Sequence, residues 1–162
     1  MSKITIGIGD SYASNDRDDT IVTYALGSCI ALIILDPVSK VGAMAHIALP
    51  DSQVDSEKAK ILPGYFADSG VPYLLELMKE KGSKLHPGMI AKLIGGAKVT
   101  KNEDFFEIGK RNAIAIKKLL WHYSIAVKSE DIGGTNSRTV HLQMEDGKAY
   151  ISSHAYESVR KI

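Results

Sequence analysis

Cys29-Ile-Ala-Leu-Ile-Ile-Leu35, then Asp36-Pro37-Val38-Ser39-Lys40, then Val41-Gly-Ala-Met-Ala-His46-Ile-Ala-Leu49-Pro50 is the stretch whose reading decides the fold. A short continuous apolar run, bounded by Gly27-Ser28 before it and Asp36-Pro37 after it, reads as a strand buried on both faces. Pro37 suits the second position of a type I or II turn. The apolar stretch that returns from Val41 to Leu49 stops at Pro50. Two strands joined by so short a loop pair antiparallel. A turn near Val38 sets a register in which paired residue numbers sum to about 76, so Cys29 falls near Ile47, one place from His46.

Outward from this hairpin the pattern alternates between strand and helix. Ile4, Ile6 and Ile8 alternate with Lys3, Thr5 and Gly7, the period of a half-buried strand. Thr20 to Leu26 is a further β-branched stretch, and Asp51 to Pro63 is polar and aperiodic, a surface loop. Tyr65 to Lys81 has helical spacing, with Phe66, Tyr73, Leu74, Leu77 and Met78 on one face. Gly82 suits the position just past a helix end. Pro72 leaves two readings of this helix, a kink or a start near Val71, because an interior proline loses a hydrogen bond and clashes. Ile90 to Ile94 is a strand closed by Gly95-Gly96, and Ile108 to Tyr123 a second helix facing inward with Ala113, Ile116, Leu119, Leu120 and Tyr123. Trp121, on its flank, reads as core or edge. Ile125 to Val127 begins another strand. Val140 to Met144 and Ala149 to Ser152 flank Asp146-Gly147, a hairpin signal of the type I′ kind. About eight strands and two main helices in this mixed order predict one α+β domain over residues 1–162, layered, with largely antiparallel sheets.

The 162 residues carry a net charge of +1, with 44% hydrophobic and 24% charged side chains. That length is enough for a core without disulfides or metals. No basic stripe points to nucleic acid. Cys29 is the only cysteine, so an internal disulfide and a multi-thiolate zinc site are both excluded. A lone thiol suits a reducing compartment. The first residues lack the apolar stretch of a signal peptide, and the longest apolar run is too short to cross a bilayer. A cytoplasmic protein is expected.

Most lone cysteines are inert core residues. Cys29, however, stands at a strand start just after Gly27-Ser28, where backbone N–H groups of Ser28 and Cys29 can act as an oxyanion hole. The predicted hairpin brings His46 close to it as a proton carrier, and a neighbouring imidazolium would favour the thiolate. Thr23 supplies an oxygen that can accept from the imidazole and fix its tautomer. His154, near the C-terminal end, is the alternative base. Five scattered histidines form no ligand cluster, so no metal is predicted. Gly7-Ile8-Gly9 lacks the third glycine of a dinucleotide fingerprint, since Tyr12 stands there.

Thr23-Tyr-Ala-Leu-Gly27-Ser28-Cys29 and Gly42-Ala-Met-Ala-His46-Ile-Ala-Leu49-Pro50 closely resemble the CheD family of chemoreceptor glutamine deamidases. The likeness continues through Tyr65-Phe-Ala-Asp68, Ile94-Gly95-Gly96-Ala97, Ile108-Gly-Lys-Arg111-Asn112, Asp131-Ile-Gly133-Gly134 and Arg138. The resemblance implies a layered fold similar to deamidating toxins of the cytotoxic-necrotizing-factor type. It implies catalysis by Cys29, His46 and Thr23 without a cofactor, chemoreceptors as substrates and a CheC-type phosphatase as partner. It assigns no role to Asn112 or Arg138. Two other readings of the same residues stand beside it: a non-catalytic adaptor for receptors and a CheC-type phosphatase, and a cysteine-histidine acyl transferase or peptidase.

Overall fold

β4 (Ile30–Asp36) is the middle of the fold, pairing antiparallel with β5 (Val41–Ile47) on one side and β6 (Ile90–Gly95) on the other. All of β5 and all but one residue of β4 are buried. Both strands must therefore be apolar on both faces, because each face meets another layer. Ile30, Leu32 and Ile34 face a core shared with helices α2 (Ala67–Glu80) and α3 (Ile108–His122). Ala31 and Ile33 face a second core that lies between two sheets. The computed structural model describes residues 2–99 and 107–162.

β2 (Ser11–Ser14) extends this sheet beyond β5, and β7 (Ala126–Ile132) extends it in parallel beyond β6, giving the order β2-β5-β4-β6-β7. The second sheet has the order β1-β3-β8-β9-β10, from β1 (Ser2–Thr5), β3 (Asp19–Leu26), β8 (Arg138–Gln143), β9 (Lys148–Ser152) and β10 (Arg160–Lys161). Its Ile21, Val140, Leu142 and Ile151 meet Ala31, Ile33, Met44 and Ile94 of the first. Sheet, sheet and helices thus form three layers, and only β1·β3 and β6·β7 pair in parallel among the described strands. The expected α+β, largely antiparallel architecture is the one observed.

Several local expectations are corrected. The β4–β5 register is offset by one residue: Ile30 lies opposite Ile47, Ala31 opposite His46 and Asp36 opposite Val41. The four-residue turn between the strands is the reason. The Asp36 carboxylate accepts from Val38 N–H at 3.0 Å and Ser39 Oγ at 2.6 Å, and Lys40 takes a left-handed φ of 62°. A one-residue slip moves a side chain to the other face of a sheet. In the expected register Cys29 and His46 would face opposite ways; in the observed one, His46 is opposite Ala31, which shares the inter-sheet face with Cys29.

The segment after β5 is not a loop throughout. Asp51 caps a 3₁₀ turn at Ser52–Val54, and Asp55 caps helix α1 (Ser56–Ile61) by accepting from Lys58 N–H. A second 3₁₀ turn, Pro63–Tyr65, leads into α2. That helix begins at Ala67 and runs through Pro72, so it does not start near Val71. The proline forfeits the N–H that would bond the Asp68 carbonyl, while Val71, Leu74 and Met78 anchor the helix by burial. Tyr73 and Ile8 are exposed, as is Trp121 at 85%. The β8–β9 connection has positive φ at Gly147 only and closes through Gly147 N–H to Gln143 O, so it is a four-residue loop rather than a type I′ turn.

Candidate active site

Thr23 of β3 and His46 of β5 come from different sheets and meet in the layer between them. Thr23 Oγ1 lies 2.6 Å from His46 Nδ1 and 2.9 Å from the Ile6 carbonyl oxygen. A hydroxyl has a single proton, and a carbonyl can only accept. Thr23 therefore donates to Ile6 and accepts from Nδ1–H. That fixes the tautomer and leaves Nε2 as the basic nitrogen. Nε2 is buried and has no hydrogen-bond partner among the described residues.

His46 is 3% exposed. Burial pushes its pKa down to about 4, against a weaker upward pull from Asp10. The ring is therefore neutral at neutral pH. The expected imidazolium beside Cys29 is disfavoured by desolvation, and the tautomer on hand is that of a general base. The His46 backbone is held on its outer side, its N–H donating to Asp10 O at 3.0 Å and its carbonyl accepting from Gly9 N–H at 2.8 Å. Gly7-Ile8-Gly9 belongs to the turn beside His46. Gly9 has φ of 84°, and a Cβ there would lie 2.4 Å from Leu62.

A depressed folded-state pKa has a stability consequence. The unfolded chain takes up the His46 proton near pH 6.5, the folded chain only near pH 4. The contribution is thus intact above about pH 6.5 and is lost as pH falls through about 4, by roughly 3 kcal/mol. Unfolding free energies from urea titrations of wild type and His46→Gln are expected to shift relative to each other by that amount between pH 7 and pH 4, with wild type the more acid-sensitive; parallel pH curves would count against a buried neutral ring.

Cys29 is half-buried, directly before β4, and packs at the margin of the inter-sheet core. It sits two residues from Ala31, the cross-strand partner of His46. Such diagonal positions have Cα atoms about 7–8 Å apart, within reach of long side chains. The candidate loop residues Gly27 and Ser28 are firmly held. The Gly27 carbonyl accepts from Ala97 N–H at 2.8 Å and the Cys29 carbonyl from Gly96 N–H at 2.9 Å. The Ser28 carbonyl accepts from Asn112 Nδ2 at 3.1 Å. A Cβ on Gly95 would lie 2.3 Å from the Cys29 oxygen, so glycine is required for this approach.

Two residues whose roles the sequence left open now have defined contacts. Arg138, 7% exposed, donates to the Gly95 and Gly133 carbonyls at 3.2 and 2.9 Å and pairs with Asp131 at 3.3 Å. Tyr156 OH also donates to Asp131, at 2.6 Å. This network ties the Gly95–Gly96 turn to the loop after β7. Asn112 is fully buried against Ser28 and Ala48. His154, the alternative base, is exposed after β9. His86 is engaged at the other end of β4, 2.6 Å from Asp36.

A family model described as CheD chemotactic sensory transduction matches residues 48–153. The chain belongs to the CheD family. A relative from Syntrophus aciditrophicus, named probable chemoreceptor glutamine deamidase CheD 1, is 41% identical over 94% of this chain and 95% of its own length. The chemoreceptor glutamine deamidase CheD of Thermotoga maritima is 42% identical over 93% of this chain and 91% of its own. The family model begins just past His46, whereas these CheD alignments are long enough to include Thr23, Cys29 and His46. A crystal structure of the Neisseria meningitidis protein NMB0706 is similar with TM-score 0.42 and 11% identity, over 82% of this chain and 63% of that one. Among the described residues, no helix is long and apolar enough to cross a membrane.

Proposed function

We propose that this CheD-family protein hydrolyses the side-chain amide of selected chemoreceptor glutamines, giving glutamate and ammonia. The supporting observation is the Thr23–His46 pair: a hydroxyl committed to Ile6 forces the imidazole proton onto Nδ1 and leaves Nε2 as a base on the face that carries Cys29. The names of the relatives agree with the substrate class.

In this mechanism Nε2 takes the Cys29 thiol proton as sulfur attacks the glutamine carbonyl carbon. Backbone N–H groups at Ser28 and Cys29 are the assigned donors to the resulting oxyanion, worth about 3 kcal/mol each by analogy with other oxyanion holes. The imidazolium formed in that step is costly in its buried site, which drives the proton onward to the departing nitrogen. Ammonia leaves and a thioester remains. Nε2 then deprotonates a water that attacks the thioester, releasing glutamate and restoring the thiol. No step calls for a cofactor. Each event adds a negative charge to the receptor, and its effect on signalling is a shift between receptor conformations.

The test is to incubate wild-type protein with a purified receptor and to follow ammonia together with peptide masses. Glutamine-to-glutamate conversion matched by released ammonia is expected. Backbone cleavage, or incorporation of an added amine, would favour the peptidase or transferase reading. A CheC-type phosphatase partnership rests on the family resemblance. A change in such a phosphatase's activity without any receptor conversion would favour the adaptor reading.

A further inference from the structure

Asn112 sits on α3, and its reach begins with a close approach of helix and turn. A Cβ on Gly109 would lie 2.3 Å from the Gly96 carbonyl oxygen. Without that side chain α3 settles directly on the Gly95–Gly96 turn, and Asn112, one helical turn further along the same buried face, enters the space beside Ser28. Its Nδ2 donates to the Ser28 carbonyl at 3.1 Å and to the Ala48 carbonyl at 3.0 Å. Both partners are pure acceptors, so the atom facing them must be the amide nitrogen, and both its protons are used. Its Oδ1 is buried and has no hydrogen-bond partner among the described residues. The side chain is thus committed wholly to donation.

The two carbonyls it joins lie at different parts of the site. One belongs to the peptide immediately before Cys29. The other lies two residues beyond His46, past the last pair of β4 and β5, where the ladder no longer links the two chains. From this geometry we infer that Asn112 is a positioning residue: it sets the placement of the nucleophile loop relative to the strand that carries the base. Gly27 and Cys29 are tied by their carbonyls toward the Gly96–Ala97 side, whereas Ser28 is tied toward α3, so the peptide plane between Ser28 and Cys29 is fixed by this side chain. A carboxylate at position 112 would set acceptors against two acceptors, and an alanine would leave both carbonyls without this donor. This inference rests on the deamidase reading given above.

Misplacement of a reacting group by about 1 Å can cost about 100-fold in rate. The test measures kcat and KM for receptor conversion in wild type, Asn112→Ala and the isosteric Asn112→Asp, with thermal midpoints alongside. Leu120→Ala, at the far end of the same helix's buried face, serves as a destabilised control. The expected result is a fall in kcat of about 100-fold in both Asn112 variants with KM unchanged, while Leu120→Ala keeps kcat despite a lower midpoint. Where Asn112→Ala fails to fold, Asn112→Asp decides, since it keeps the shape and loses the donors. The inference is overturned if an Asn112 variant keeps kcat within about threefold of wild type, if the loss appears in KM alone, or if Leu120→Ala loses kcat equally. Wild type and Cys29→Ala in the same assay separate the levels: the deamidase reading fails if wild type converts no receptor, and the nucleophile assignment fails if Cys29→Ala converts receptor as wild type does, whatever Asn112 does.

Discussion

Cys29→Ala loses receptor deamidation by about 10⁴-fold or more, the size of effect seen when a nucleophile is removed from a set that acts as a unit. No second thiol can take over, because Cys29 is the only cysteine in the chain. His46 keeps its tautomer in the variant, since its Thr23 contact does not involve the sulfur. It could at most activate water directly, which sets a low floor. The substitution removes one atom at the margin of the inter-sheet core, so the fold is expected to persist with a near-native thermal midpoint. Conversion by the alanine variant within about tenfold of wild type would falsify the nucleophile assignment. The matching chemical check is alkylation: one equivalent of iodoacetamide, traced to Cys29 by peptide mapping, should silence the wild-type protein.

His46→Ala is expected to lower kcat by about 10² to 10⁴-fold, the usual range for a lost acid-base group. His46→Gln fills most of the space left in this buried position and guards against an effect of packing alone. The pH profile separates a base from a spacer. With the ring's pKa near 4, Nε2 stays unprotonated throughout the neutral range, so wild-type activity should hold on acidification until pH approaches about 4. In the variants hydroxide must remove the thiol proton, and their residual rate should climb steadily with pH. A variant that keeps the wild-type profile at a uniformly lower rate would assign His46 a packing role instead.

The central hairpin was legible because β4 is apolar at nearly every position and Asp36-Pro37 interrupts it. Its register was not, because Lys40 in a left-handed conformation carries no sequence signal and the Asp36 bonds that support the turn form only in three dimensions. That single residue mattered: it decided whether Cys29 and His46 share a face. β2 and β10 carry no sequence signal, because one is four residues of modest polarity and the other only two residues long. Asp51 and Asp55 cap the turns after β5, but in a polar, aperiodic stretch the same residues read as loop composition. Thr23 and His46 stand out in the sequence as candidates, but the Ile6 carbonyl that fixes the proton does not, since Ile6 reads only as an apolar strand position. Asn112 gave no local signal at all. Its importance comes from the way two glycines let α3 approach the turn after β6, a property of packing rather than of the helix's own pattern.

The hydroxyl that orients the ring belongs to one sheet and the ring to the other. Among the described residues no backbone ladder joins these two sheets; their contact is made by side chains, those of the inter-sheet core together with Arg138 on the Gly95 carbonyl. A slide of one layer over the other by about an ångström could leave every strand pairing unbroken yet pull a 2.6 Å contact beyond bonding range. Turnover should then be the more sensitive gauge of native assembly, fading at urea concentrations where circular dichroism still registers a complete set of strands.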